Sequence, residues 1–315
     1  MRHFPGRCSI YVLSVVIVID AIWLTVGGIS VTFSDRAPGL FLLAPLTFIT
    51  LIRLFPPGNG PMAQMVRRLG IALQGIVFIF VAWMAATVLN HLLMTTRYPY
   101  ADSMLATWGK ALGFDWLSYF QLVLDNPVLQ TVLGRTYSAF MPASLIAFVI
   151  LALTESLRRA AYTVEAFFIS SVVCIACGTL FPAEGASALF LRGVLPEETI
   201  TSLPGLYHLE SLHRLREEPL RELDPLKLMG LVTFPSFHTA GGLVIATALW
   251  RTRWFWPAAV YTLIMIASTP IYGAHYVIDL VAGAAVAAAV LLWLASRTHY
   301  RGVLQSAPSE ARVHP

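Results

Sequence analysis

Charge is what this sequence has least of. Only 12% of its 315 residues are Asp, Glu, Lys or Arg, 21 basic and 17 acidic, where soluble domains carry roughly 25%. So few charges cannot build the polar skin that a water-soluble globule of this length requires, and lipid is the expected solvent. Cysteine is also scarce. Cys8, Cys174 and Cys177 are three, so they form no even disulfide framework, and the C-x-x-C at 174–177 has no second pair to complete a metal site. They read as small apolar packing residues. No internal repeat is present, and the Ala-rich run 282–289 is the one biased segment. The net charge of +4 and pI near 9.1 come from scattered arginines without a basic stripe, which excludes nucleic acid as a partner.

What the chain has instead is apolar length. Hydrophobic residues make up 57% of it and the mean hydropathy is +0.71. A helix needs about 20 apolar residues to cross a bilayer, and eight segments approach that length: 9–31, 40–55, 70–94, 137–153, 164–180, 236–250, 255–268 and 275–295. The first follows Arg2 and Arg7 like a signal peptide. Its apolar run is longer than the usual ~7–15 residues and no small-residue cleavage site follows, so it is expected to remain as a span. The expected fold is all-α, a polytopic membrane bundle of about eight transmembrane helices. Residues 1–136 would hold N-terminal spans and interfacial helices, 137–296 a catalytic bundle, and 297–315 a flexible cytoplasmic tail.

Eight spans put both termini on one side of the membrane. Twelve of the 21 basic residues fall on that side, mostly in short connections, whereas the other nine lie chiefly in long loops that translocate regardless of charge. Both termini are therefore expected in the cytoplasm, in a plasma or inner membrane. Two long connections then face outward. In 100–133, Asp102 and Asp115 are placed to cap short helices whose Trp108, Trp116, Tyr119 and Phe120 suit the membrane interface. The other, 182–234, carries eight acidic residues.

Ionisable groups in or beside apolar spans are costly and so are functional candidates. Asp20, His91, Glu165, His238, His275 and Asp279 make up that set. His275 and Asp279, four residues apart, share a helical face. There the carboxylate can accept from one ring nitrogen and fix the tautomer, leaving the other nitrogen to attack. Gly283 and Ala287 continue the face and admit a closely packed neighbour. His238 lies in Phe234-Pro235-Ser236-Phe237-His238-Thr239, where the acidic loop enters the sixth span. Backbone N–H groups at Ser236 and its neighbours are placed to meet an anion. Charge-derived topology brings His238 and His275 to one membrane face. Two histidines and a carboxylate also suit zinc, but an Asp that orients its neighbouring His argues against a metal.

These residues resemble the type-2 phosphatidic acid phosphatase superfamily, which carries P-S-x-H and, one span later, S-R-x5-H-x3-D. Pro235-Ser236-Phe237-His238 matches the first, and Ser268 with His275-Tyr276-Val277-Ile278-Asp279 matches the second, with Thr269 in the position of the Arg. The superfamily's earlier K-x6-R-P is replaced by Phe181-Pro182-Ala183-Glu184-Gly185. Within the superfamily the pattern looks like the branch of inositol phosphorylceramide synthases and their bacterial relatives. The resemblance covers about 137–295.

It implies a six-helix phosphatase-like core and a reaction on a lipid phosphate at the outer face. His275 would form a phosphohistidine, Asp279 would orient it and His238 would protonate the leaving oxygen, with neither cofactor nor metal. The acceptor would be water or the hydroxyl of a second substrate. Because transferring phosphoryl groups need cationic help, Arg214 and Arg216, and behind them Arg135, are expected beside Ser236 at the phosphate. A transporter using the same His and Asp groups would place charges mid-membrane in paired halves, and a silent scaffold would lack one of the three catalytic residues. Neither pattern is present.

Overall fold

The computed structural model describes residues 4–34, 37–154, 157–192 and 205–304, without the side chains of 37–41. Every element among them is helical except one parallel pair, β1 (Ser30–Val31) with β2 (Glu222–Leu223), in register Ser30 to Glu222. Glu197 and Glu198 of the acidic loop and the tail beyond 304 lie outside the described residues.

All eight apolar segments are helical: α1 (Arg7–Gly27), α2 (Ala37–Leu54), α3 (Pro61–Met94), α7 (Phe140–Thr154), α8 (Leu157–Leu180), α11 (Phe237–Ala248), α12 (Phe255–Tyr272) and α13 (Val277–Ser296). Five of them, α1, α3, α8, α12 and α13, are long and apolar enough to cross a membrane alone. A sixth span arises if α6 (Pro127–Ser138) and α7, bent by 55° at their junction, count as one. The chain is thus a multi-pass, all-α membrane bundle. One expected span is clearly shorter than a bilayer, α11. Twelve residues of α11 rise only about 18 Å, against a hydrocarbon thickness of about 30 Å. Neighbours make this possible, because α11 sits at the centre of the bundle against α8, α12 and α13.

Glycine makes those contacts close. A Cβ on Gly241 would lie 2.7 Å from the Phe140 ring, one on Gly242 2.5 Å from Met265 Cε, and one on Gly283 of α13 2.3 Å from the Ser236 carbonyl oxygen. Gly283 and Ala287 therefore form the close-packing face expected from their spacing.

The 100–133 connection folds as α4 (Asp102–Ala111), α5 (Trp116–Leu124) and the start of α6. Asp115 caps α5 as expected, accepting the Ser118 N–H at 3.2 Å. Asp102 does not cap α4, whose N-cap is Ala101. Trp116 is buried instead of interfacial, stacked on Phe120 and on Phe190 of α9 (Ala186–Leu191), with its indole N–H donating to the Pro270 carbonyl at 3.1 Å. The start of the tail is docked as well. Tyr300 and Val303 are buried in a cluster with Tyr162 of α8, and Arg158 donates to the His299 and Arg301 carbonyls at 2.5 and 2.8 Å.

Candidate active site

His275 lies in the turn between α12 and α13, and its position is fixed from several sides. Its backbone N–H donates to the Thr269 carbonyl at 3.3 Å. Ala274 beside it has φ 52°, a left-handed conformation that costs a non-glycine residue about 1–2 kcal/mol and persists only where the surroundings enforce it. They do so here. The Ala274 carbonyl accepts the Ala186 N–H at 2.7 Å, and Gly185 lies so close that a Cβ there would meet that oxygen at 2.7 Å. From the other side Gly205, at φ +88°, leaves room for the Ile271 carbonyl, 2.6 Å from where its Cβ would stand. The Phe181–Gly185 segment therefore acts as a brace on the histidine turn.

Asp102 fastens that brace. Its Oδ1 accepts the Gly185 N–H and the Tyr276 hydroxyl, each at 2.8 Å, and its Oδ2 accepts the Glu184 N–H at 3.0 Å. Burial raises the pKa of this carboxyl and the three donors pull it back. Glu184 in turn pairs with Arg192 at 2.9 Å and His213 at 2.5 Å. Sequence reasoning gave Asp102 only a capping role; its link to Tyr276 spans a distance in the chain that no local motif signals.

The His275 ring is held at both nitrogens. Nδ1 lies 3.2 Å from Asp279 Oδ2 and Nε2 3.2 Å from Ser236 Oγ. With Nδ1–H donating to the carboxylate, Nε2 carries the lone pair and the Ser236 hydroxyl donates to it. Asp279 Oδ2 also accepts the Tyr276 N–H at 2.9 Å. Ser236, N-cap of α11, receives the Thr239 N–H at 3.4 Å and donates its own N–H to the Asp279 carbonyl at 3.0 Å. That N–H is consequently not offered to an anion, and Ser236 acts in this structure as a partner of His275.

His238 is in the first turn of α11, its ring 6.4 Å from that of His275 between centroids and stacked on Tyr137 at 4.3 Å. Both histidines line a cavity of about 470 Å³ that descends between α3, α7 and α8. Tyr207 and His208, which the sequence did not single out, line its upper part. His208 is buried, its Nε2 3.1 Å from the Glu184 carbonyl. Burial chiefly lowers its pKa, to about 4, so it is neutral at pH 7 and an anion beside it would favour the charged form.

The three arginines stand elsewhere. Arg214, on α10 (Leu209–Glu217), and Arg135, on α6, are exposed, while Arg216 donates to the Tyr98 carbonyl and lies 4.2 Å over the Tyr100 ring. None lines the cavity. Thr269 is committed within α12. Pro270 has no N–H to give the Ile266 carbonyl, and the Thr269 hydroxyl donates there at 2.8 Å. Of the other ionisable candidates, Glu165 accepts the Ser9 N–H at 3.1 Å, His91 Nδ1 meets the Thr87 carbonyl at 2.9 Å, and Asp20 is buried on α1. All three lie outside the cavity wall. No cluster of three or more metal-ligating side chains occurs among the described residues.

A family model of the PAP2 superfamily matches residues 103–293, a stretch containing the histidine turn, its brace and α11. The chain belongs to the PAP2 superfamily. Comparison with curated proteins and with solved structures finds no match. PAP2 members are generally phosphoric ester hydrolases or phosphotransferases, and the matched stretch begins only after α3, so the first three helices of the bundle lie outside it.

Proposed function

We propose that this PAP2 protein is a membrane-embedded lipid phosphate phosphatase working through a phosphohistidine on His275. One observation supports this reading above the others: a histidine clamped between a carboxylate and a hydroxyl shares one cavity with a second histidine. Nε2 of His275 attacks phosphorus as the bond from phosphorus to the alcohol oxygen breaks, and His238 gives its proton to that oxygen. Asp279 offsets the positive charge that His275 gains. Water, deprotonated by His238, then displaces His275 and releases phosphate. Charge on the equatorial oxygens is met by the positive end of α11.

The apolar surroundings favour a lipid ester, and the excess of basic residues in the short connections on the terminal side favours catalysis at the outer face. A transferase differs only in the acceptor, a lipid or polyol hydroxyl in place of water. The likeness of Phe181-Pro182-Ala183-Glu184-Gly185 to the inositol phosphorylceramide synthase branch favours that second reading. Ser236-His275-Asp279 also has the order of a serine hydrolase triad, but Ser236 is fully buried and does not line the cavity. Its hydroxyl rests on the Nε2 lone pair of His275 in this structure and turns away when that nitrogen attacks.

The test is incubation of purified protein with a panel of lipid phosphates and hydroxyl acceptors, with and without a chelator, followed by mass analysis of products and of His275. Free phosphate and acid-labile phosphate on His275, unaffected by chelation, are expected. Phosphoryl transfer to an added alcohol would select the transferase, and absence of any phosphoryl chemistry would overturn both.

A further inference from the structure

The cavity under the histidines is far deeper than a phosphate requires. Its wall on α3 is a ladder of residues four apart, Asn90, Ala86, Ala82 and Phe78, which stand on one helical face. Asn90 is at the mouth, where its Oδ1 accepts the Leu231 N–H at 3.1 Å. Phe78 is at the floor, edge-on to Phe168 with centroids 5.8 Å apart. Twelve residues separate the two, about 18 Å along the helix. A volume of about 470 Å³ over that length leaves room for a hydrocarbon chain lying along the helix, at carbon contact distances of about 4 Å.

The wall has little to offer a polar ligand. Thr87, Ser144, Thr163 and Ser171 all reach the cavity, yet their hydroxyls donate to carbonyls of their own helices at 2.9, 2.6, 2.8 and 2.7 Å. Below the histidines the shaft is therefore apolar in effect as well as composition.

We propose that this shaft takes one hydrocarbon chain of the phosphate ester and that Ala82 and Ala86 of α3 set the chain length accepted. The inference rests on the phosphatase reading for the position of the phosphate, at His275 and His238, and adds a specificity element from a helix that precedes the superfamily match at 103–293. A bilayer is as apolar as the shaft, so entry gains nothing from the hydrophobic effect. Selection is by shape. Ala82 and Ala86, 3% and 6% exposed, leave the middle of the shaft open, and Phe78 closes it.

The experiment uses full-length protein in lipid nanodiscs with an alkyl phosphate series from hexyl to hexadecyl, read as kcat/KM, and the matching non-hydrolysable alkylphosphonates, read as thermal stabilisation. Ala82→Leu should lower kcat/KM for hexadecyl phosphate roughly tenfold or more, since overfilling a packed space carries a cost of that order, with hexyl phosphate unaffected. Phe78→Ala, opening the floor, should move the preferred length upward. Stabilisation by hexadecylphosphonate should be lost in Ala82→Leu and hexylphosphonate stabilisation kept. Equal effects on all lengths in both variants would overturn the shaft, even with the ester cleaved. Chain-dependent phosphonate binding without cleavage of any ester would leave the shaft standing and overturn the phosphatase reading.

Discussion

Asp102 and Tyr276, 174 residues apart in the chain, are joined by a 2.8 Å hydrogen bond, and through it α4 bears on the turn that carries His275. The same carboxylate fixes the Glu184 and Gly185 N–H groups, so its loss would strand three donors in a buried place at about 1–3 kcal/mol for each. Asp102→Ala should lower the melting temperature and also kcat, with KM for an aryl phosphate unchanged because Asp102 lies outside the cavity. Tyr276→Phe removes one of the three bonds and should show a smaller drop in kcat alone. A fall in melting temperature with kcat of the folded enzyme intact would limit Asp102 to a structural part.

Ser236 presents a sharper choice. As an orienting partner it contributes one neutral hydrogen bond, worth about 0.5–1.5 kcal/mol, so Ser236→Ala should slow turnover only about two- to tenfold. A triad nucleophile would behave otherwise, its removal costing on the order of 10⁶ in kcat. Initial rates of the single variant distinguish the two, and a loss near the larger figure would make Ser236 the attacking group.

The sequence made the helices and the His pair legible because each signal is local. Apolar runs mark the spans, four-residue spacing pairs His275 with Asp279, and Gly283 announces the close approach of α11. Partnerships across the chain were not legible. Nothing near Asp102 points to Tyr276, nothing near His208 points to the cavity, and the tail's docking through Tyr300 and Val303 depends on α8. Thr269 is instructive in another way. Its place in the motif suggested a lost arginine, whereas the next residue, Pro270, explains what the threonine does. The short length of α11 was hidden by the apolar residues that continue past its end at Ala248.

Arg214 tests the expectation, drawn from the family resemblance, that a loop arginine meets the phosphate. A cation acting on the developing charge of the phosphoryl group would cost roughly 2–4 kcal/mol on removal, by analogy with oxyanion-hole donors. Exposed on α10 and absent from the cavity wall, Arg214 should instead be replaceable by Ala with turnover essentially unchanged. Arg216→Ala should act through the loosened Tyr98–Tyr100 segment and be partly restored by Arg216→Lys. A hundredfold or larger loss in Arg214→Ala would return it to the phosphate.

The two histidines differ in what each does to the barrier, and the leaving group exposes the difference. A nucleophile is needed for any covalent intermediate, whereas a general acid contributes roughly 10²–10⁴-fold and matters least when the departing oxygen is already stable as an anion. His275→Ala should therefore abolish reaction with alkyl and aryl phosphates alike. His238→Ala should lose the alkyl reaction but still release an acidic phenol such as p-nitrophenol. Because the same ring serves as base for the incoming water, His238→Ala should also accumulate acid-labile phosphate on His275, the intermediate being formed from the aryl ester faster than it is hydrolysed. Asp279→Asn should fall between them. Its amide can donate to Nδ1 and so favours the tautomer that places the proton on Nε2, where the attacking lone pair is required. If His275→Ala kept the aryl phosphatase activity and His238→Ala lost it, the roles would be exchanged, and the Ser236–His275–Asp279 chain would then serve the acid instead of the nucleophile.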